Sequence, residues 1–447
     1  MRFSISVFLL LITSWLSAQV TTVSPFSSQG LGDVGYYGDA YFTGIGGVSL
    51  PVIDSTQVNL FNPASYSMVS QGLPLFSMGF AHQESFFEEN DQTGRDRYTG
   101  ITQMALVVPF AKRLGLAFGL KPFSRAGYEV NNFDIVNGDS IFYDYAGKGE
   151  IQEFLVGFSV KFLDRLSHKM SLGVQGKRYF GQIEYNRKAF TTANFISSGG
   201  METNKLNVGG FGYEAALTYQ FRPNTKNSLT LSGFFRDQQR INVVQSNSRV
   251  AFGEFGNVNT YDTLLPSTRE EGRINLPQRI GAGFSYEFKA QRDSISGSGR
   301  SPSFTIFGEY TMDPWSQYET SVDDLPISYF DGMSARFGMQ FIPHKNVLER
   351  TAYLKRFQRW SYRLGAFYSE LPYQSAGEQV LDMGVSFGIG VPITLNQAVS
   401  TINFSVNYGE RGAGTSGAGL RENYVGFNFG LNIAPSYDRW FRKQQLN

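Results

Sequence analysis

Val425-Gly426-Phe427-Asn428-Phe429-Gly430-Leu431-Asn432-Ile433 alternates strictly, with apolar side chains on one side of an extended chain and only Gly or Asn on the other. That is the pattern of a strand with one face in lipid and the other in a polar interior, and it fits a membrane barrel. A strand in a water-soluble sandwich can alternate in the same way. The decision therefore rests on whether the pattern repeats and on where the chain is sent.

The amino end supplies a destination. Met1 and Arg2 precede an apolar run from Phe3 to Leu16, followed by Ser17, Ala18 and Gln19. This predicts a secretory signal peptide over residues 1–18, cut after Ala18, although Leu16 is larger than the ideal small residue at its position. The run is shorter than the ~20 residues a spanning helix needs, and no later stretch approaches that length. An exported chain of this kind is periplasmic, secreted or a membrane barrel, because only helices and closed barrels satisfy their backbone inside lipid.

Composition favours the barrel. The 447 residues include 49 Gly, 40 Phe and 24 Tyr, suiting many short strands with aromatic belts rather than a helical enzyme. A mean hydropathy of -0.22 is no objection, since only half of a barrel strand's side chains meet lipid. The absence of cysteine excludes a disulfide scaffold, a thiolate metal site and a lipidated amino-terminal cysteine. A formal net charge of +1 gives no support for a nucleic-acid partner.

The pattern does repeat. Residues 19–72 are glycine-rich and do not alternate, whereas from Leu73 onward the period is two. Phe76, Met78 and Phe80 oppose Ser77 and Gly79; Leu114, Leu116, Phe118 and Leu120 oppose Gly115, Ala117 and Gly119; Phe154, Val156, Phe158 and Val160 oppose Gly157 and Ser159. Further strands near Tyr213, Phe284, Phe337, Leu364, Phe387 and Phe404 bring the total to about fourteen between Leu73 and Ile433, each reaching the ~9–11 residues a tilted membrane strand requires. Links are short near Ala111, Asp164, Asn224 and Asn396 and long at 85–96, 126–146, 186–203 and 242–272, which predicts periplasmic turns alternating with outer loops. Residues 434–447 then form a periplasmic tail. An exported soluble β protein would carry polar residues where this chain repeatedly places Phe, Leu, Val and Tyr.

Several motifs carry a resemblance. Ser24-Pro25, Gly30-Leu31-Gly32-Asp33, Asn62-Pro63-Ala64-Ser65-Tyr66, Leu276-Pro277-Gln278-Arg279, Trp315-Ser316, Tyr408-Gly409-Glu410-Arg411 and Glu422-Asn423-Tyr424 together resemble the FadL-like outer-membrane transport superfamily, specifically an uncharacterised Bacteroidetes branch also related to PorV-like proteins. The resemblance implies an all-β fold, a 14-stranded antiparallel transmembrane β-barrel in the bacterial outer membrane, with residues 19–72 folded back into the lumen as a hatch and residues 73–433 as the barrel. Asn62, Pro63 and Ala64 are then the hatch motif. It also implies passive, porin-like uptake of small hydrophobic molecules, fatty-acid-like or aromatic, with a sideways exit into the membrane at a kink in the third strand. Pro122 lies in the third predicted strand and cannot donate to a sheet ladder, so Lys121, Pro122 and Phe123 are the candidate lateral gate. The alternative for Pro122 is a strand simply nearing the outer rim.

Other chemistry is sparse. Three histidines, His82, His168 and His344, are scattered, which argues against an enzyme and against zinc; no cofactor is expected. Glu88-Glu89 and Asp323-Asp324 fall in predicted outer loops, where solvated charge is the simpler reading than calcium. Inward positions carry Lys121, Lys161, Lys177, Glu214, Arg236, Glu287, Glu309, Arg336 and Arg363, predicted to pair across the lumen, and Phe123 and Phe367 share that face. The expected partners are a hydrophobic small molecule or lipid and the outer membrane. The competing function is a non-transport barrel subunit of an outer-membrane machine, serving type 9 secretion or barrel assembly, with another envelope protein as partner.

Overall fold

The computed structural model describes residues 24–35, 38–69, 73–89, 92–136, 139–193, 196–253, 261–290, 301–322, 329–345, 356–395, 398–413 and 419–435. The predicted signal peptide, residues 1–18, and residues 436–447 of the predicted tail lie outside them.

The strands are β1 (Leu75–Glu89), β2 (Gln92–Ala111), β3 (Leu114–Val136), β4 (Asp139–Asp164), β5 (His168–Ala193), β6 (Ile196–Phe221), β7 (Asn227–Arg236), β8 (Gln239–Phe252), β9 (Tyr261–Leu276), β10 (Arg279–Lys289), β11 (Ser303–Asp313), β12 (Glu319–Thr320), β13 (Gly332–Ile342), β14 (Ser361–Ser375), β15 (Glu378–Leu395), β16 (Ala398–Ala413) and β17 (Arg421–Ile433). β7 and β8 are one barrel strand broken at Asp237-Gln238, and β9 and β10 are one broken at Pro277-Gln278. Setting aside the two-residue β12, the wall is a 14-stranded antiparallel barrel. β1 pairs with β17 from Phe76↔Ile433 to Glu88↔Arg421 and closes it.

Alternation decides which way each residue points. Phe76, Phe80, Phe158, Leu172, Val174, Phe284, Phe387 and Phe427 are exposed on the outer surface, whereas Ser77, Ser159, Gln175 and Asn432 are buried within. A continuous belt of large apolar side chains around the wall fits lipid as the solvent there.

The predicted outer loops require correction. β4, β5 and β6 each run for 26 residues, far beyond what a bilayer needs, so residues 126–146 and 186–203 are strand except at the hairpin tips. Above the apolar belt both faces of these strands are polar or mixed, so their alternation carries no apolar signal. A 3-10 turn over Arg356–Arg359 leads into β14.

Residues 24–35 and 38–69 lie inside the barrel. They form a 3-10 turn at Pro25–Ser28, a single helical turn at Ala40–Thr43 and a 3-10 helix at Pro63–Met68. Tyr41, Phe42, Ile45, Val48 and Val52 pack with Phe307 of the wall, while Val58, Leu60 and Tyr66 pack with Leu75, Val107 and Leu155.

Candidate functional site

Three sets of contacts seat the lumenal segment. At its base, the Asn62 side chain accepts from Ala64 N at 2.9 Å, capping the 3-10 helix, and donates to Thr218 Oγ1 at 2.9 Å and Leu50 O at 2.6 Å. Pro63 begins the helix where a missing N–H costs nothing. Ser171 Oγ donates to Ala64 O at 2.7 Å, Ser67 N donates to Ser159 Oγ at 2.8 Å, and Tyr66 Oη donates to Gln175 Oε1 at 2.6 Å. Asn62, Pro63 and Ala64 thus meet the wall directly. Asn62→Ala removes both the cap and the Thr218 bond, and should lower the unfolding free energy by about 1–2 kcal/mol, read as a lower temperature for loss of the compact band in semi-native electrophoresis.

In the middle, Glu309 accepts from Ser49 N at 2.6 Å and Leu50 N at 2.7 Å and pairs with Arg336 at 3.0 Å. Asp39 caps the helical turn, accepting from Tyr41 N at 2.8 Å, and Asn432 Nδ2 donates to it at 3.2 Å. Burial pushes the Asp39 carboxyl above the usual carboxylate range, against these hydrogen bonds, which hold it down. The Arg363 guanidinium lies 4.1 Å from the Tyr41 ring centroid.

At the outer end, Ser24 Oγ donates to Glu422 at 2.7 Å, as does Ser85 Oγ at 2.7 Å. Arg411 bridges Asp33 at 3.0 Å and Asp382 at 3.3 Å. Tyr373 Oη donates to Gly32 O at 2.9 Å. Above this, Phe26 and Leu31 join Trp315, Tyr318 and Tyr329 in an aromatic cap.

The predicted gate residues meet at a discontinuity in the wall. β2 pairs with β3 only from Ala111↔Leu114 to Met104↔Leu120; beyond that, among the described residues, β2 follows β1 and β3 follows β4 without pairing each other. Pro122 lies just above the last pair. On the β4 side Pro122 opposes Gln152 and Ser124 opposes Ile151, which leaves Phe123 as the extra residue of a bulge. Phe123 is buried and meets Tyr179 edge-on at 5.0 Å. The free edge of β3 is partly covered from within: Asp33 N donates to Arg125 O at 2.7 Å and Arg125 N to Asp33 O at 3.1 Å. Arg125 Nη2 reaches across the seam to Ile101 O at 2.6 Å, with its guanidinium 4.7 Å from the Tyr98 ring centroid.

Lys121 opens the buried charge cluster. It pairs with Glu153 at 2.7 Å; Lys177 pairs with Glu153 at 3.2 Å and Glu214 at 2.9 Å; Lys121 Nζ also sits 4.6 Å from the Phe61 ring centroid. A cavity of about 280 Å³ separates segment and wall, bounded by Phe61, Tyr98, Lys121, Phe123, Arg336 and Phe367 among others, with seven acidic and seven basic groups around it. Most of the predicted inward charges do pair, but along the wall rather than across the lumen: Arg236 with Asp313 at 3.5 Å, Glu287 with Lys289 of its own strand at 3.2 Å, and Lys161 with its near neighbour Asp164 at 3.3 Å. Sequence reasoning missed Glu153 and Asp33, whose partners are distant in the chain. Of the histidines, His82 meets Thr99 on the outer face and His168 meets Tyr219 near an inner turn.

The model of the BamG family matches residues 1–447. No curated protein sequence matches the chain. Among solved structures, the barrel is similar to a FadL homologue of Pseudomonas aeruginosa (TM-score 0.54, 13% identity, covering 94% of this chain and 100% of that one). It is similar to the Pseudomonas putida toluene transporter TodX (0.54, 15%, 91% and 99%) and to the CymD monoaromatic hydrocarbon channel (0.52, 13%, 92% and 99%). These likenesses establish the fold as FadL-like. The match to the BamG family, together with that barrel fold, places the chain in the bacterial outer membrane.

Proposed function

Starting from a chain that belongs to the BamG family and has the FadL-like fold, we propose that this barrel is a passive channel for small hydrophobic molecules, with exit sideways between β2 and β3. The observation that carries the reading is the end of β2–β3 pairing at Met104↔Leu120, directly below the Pro122–Phe123 bulge. A closed barrel normally leaves no strand edge. Here two edges part at the level where the cavity holds Phe61, Phe123 and Phe367. Solved proteins with this fold include a toluene transporter and a monoaromatic hydrocarbon channel, which supports a cargo of apolar, aromatic or fatty-acid-like character. Residues 24–69 would then be the hatch, and Lys121, beside the seam, would meet the polar end of an amphiphile.

Deleting Phe123 while changing Pro122 to Val tests this. Removing the single extra residue restores regular alternation and keeps every later β3 side chain on its present face, and valine restores the N–H that proline lacks. Accumulation of a fluorescent fatty acid by cells expressing the protein should fall about tenfold, to the level of cells lacking it, while the barrel remains folded. Unchanged uptake by this variant, or no uptake by the wild type, overturns the reading.

The second reading, a structural subunit of an outer-membrane machine for secretion or barrel assembly, is favoured by a different observation. The lumenal segment is tied to the wall by charge, through Asp33–Arg411–Asp382 and through Glu309, which accepts from Ser49 N and Leu50 N, an arrangement that suits a permanently seated segment.

A further inference from the structure

Among the described residues, β3 beyond Leu120 has a neighbouring strand only on its β4 side. The chain's own lumenal segment covers the first part of the other edge, through Asp33 on Arg125 and through Ser24 N, which donates to Gly127 O at 2.9 Å. These two residues fix which positions aim their main-chain groups away from β4. The next ones in the same phase are Glu129, Asn131, Phe133 and Ile135, and among the described residues their main chains meet no other strand. Two of these amides are held only by the side chain just before them: Phe133 N donates to Asn132 Oδ1 and Ile135 N to Asp134 Oδ1, each at 2.8 Å.

Two of these four side chains, Phe133 and Ile135, are apolar and open to solvent. Phe133 is 62% exposed and Ile135 64%. Phe133 also begins an aromatic row across the outer sheet: its ring lies 6.4 Å from Phe142, which lies 5.6 Å from Phe190; the register then passes through Gly199 to Phe252, 5.9 Å from Tyr261. Phe190 stands ten residues above Phe180 of the exposed apolar belt, about 30 Å of strand, so the row lies clear of the hydrocarbon. Natural sheets blunt such edges with lysine, proline, a bulge or a covering loop. Residues 128–135 contain neither lysine nor proline and pair with β4 without a register shift.

We propose that the outer edge of β3, residues 129–135, docks an extended strand of a second polypeptide at the cell surface. The occupant is a peptide because the edge offers alternating N–H and C=O groups, and because the same edge already accepts strand-type pairing from Asp33. Phe133 and Ile135 then pack against apolar residues at alternate positions of the incoming strand, prolonging the aromatic row by one member. A stacked glycan fits less well, since Phe142 and Phe190 already stack on each other, with planes 25° apart.

The test places a photoreactive p-benzoylphenylalanine at Asn131, Phe133 or Ile135 of the full-length protein in intact cells and maps the cross-linked residues by mass spectrometry. The expected result is adducts from all three positions within one segment of one other protein, stepping about two residues along it for each two-residue step on β3. Phe133→Pro removes an outward N–H without touching the β3–β4 ladder, and should lower adduct yield at Asn131 and Ile135 about tenfold. Adducts scattered over several proteins without a register, confined to lipopolysaccharide or to this chain's own residues before Ser24, or absent altogether overturn the proposal. If Phe133→Pro does not assemble, the register of the wild-type adducts decides alone. Because uptake is not read here, this result and that of the Phe123 deletion fail independently.

Discussion

Gly365→Val should unseat the lumenal segment and raise the ion conductance of the barrel several-fold. A side-chain carbon at Gly365 would stand 1.9 Å from Gly46 N and 2.3 Å from Ile45 C, and both are backbone atoms with no rotamer to escape into. Gly46 cannot adapt readily, since it holds φ at +73° and donates its amide to Ser386 Oγ at 3.0 Å. The segment must therefore leave the wall there, giving up that bond and part of the packing of Ile45 with Tyr41, Phe42 and Phe307. The expected cost is about 3 kcal/mol, the upper end for overpacking. It would appear in planar bilayers as larger, noisier openings and in solution as protease cleavage within residues 38–69. Gly176→Val is the control, because a carbon there meets nothing within 4 Å. Equal conductance from both variants would show that the segment does not depend on this contact.

Glu153→Gln should be the most destabilising single change in the lumen. Its carboxylate is 1% exposed and serves both Lys121 and Lys177, so the amide leaves two buried ammonium groups with one carboxylate, Glu214, which contacts only Lys177. Breaking a buried pair by removing one partner costs about 3–5 kcal/mol. A second change, Lys121→Met, should recover much of that loss, because it removes the stranded charge and keeps a chain that can lie on Phe61. The measurement is the denaturation midpoint of the two single variants and the double variant in detergent micelles. Additive losses would mean that Lys121 and Glu153 do not act as one unit.

The wall was legible in the sequence and much of the interior was not, for a physical reason. Lipid imposes a period of two on every crossing strand, so Phe427 or Phe158 announces its own direction. The inner face obeys the segment it meets instead. Gly173 and Gly365 read in the sequence only as small residues; in the structure they are small because Pro63 and Gly46 lie against them. Proline marked the seam at Pro122, but the extra residue is Phe123, and a bulge appears only when the partner strand's register is known. Ser24 and Glu422 are 398 positions apart, and no local pattern announces such a contact. The outer parts of the strands read as loops in the sequence because above the membrane neither solvent face enforces an apolar stripe.

The central claim is that an apolar molecule occupies the lumen and leaves through the seam. Native mass spectrometry of the protein released gently from its own outer membrane tests it most directly. A passive channel should be recovered carrying a fatty acid or another small hydrophobic molecule. An empty barrel, recovered in fixed stoichiometry with another envelope protein, would contradict the channel and favour the machine subunit.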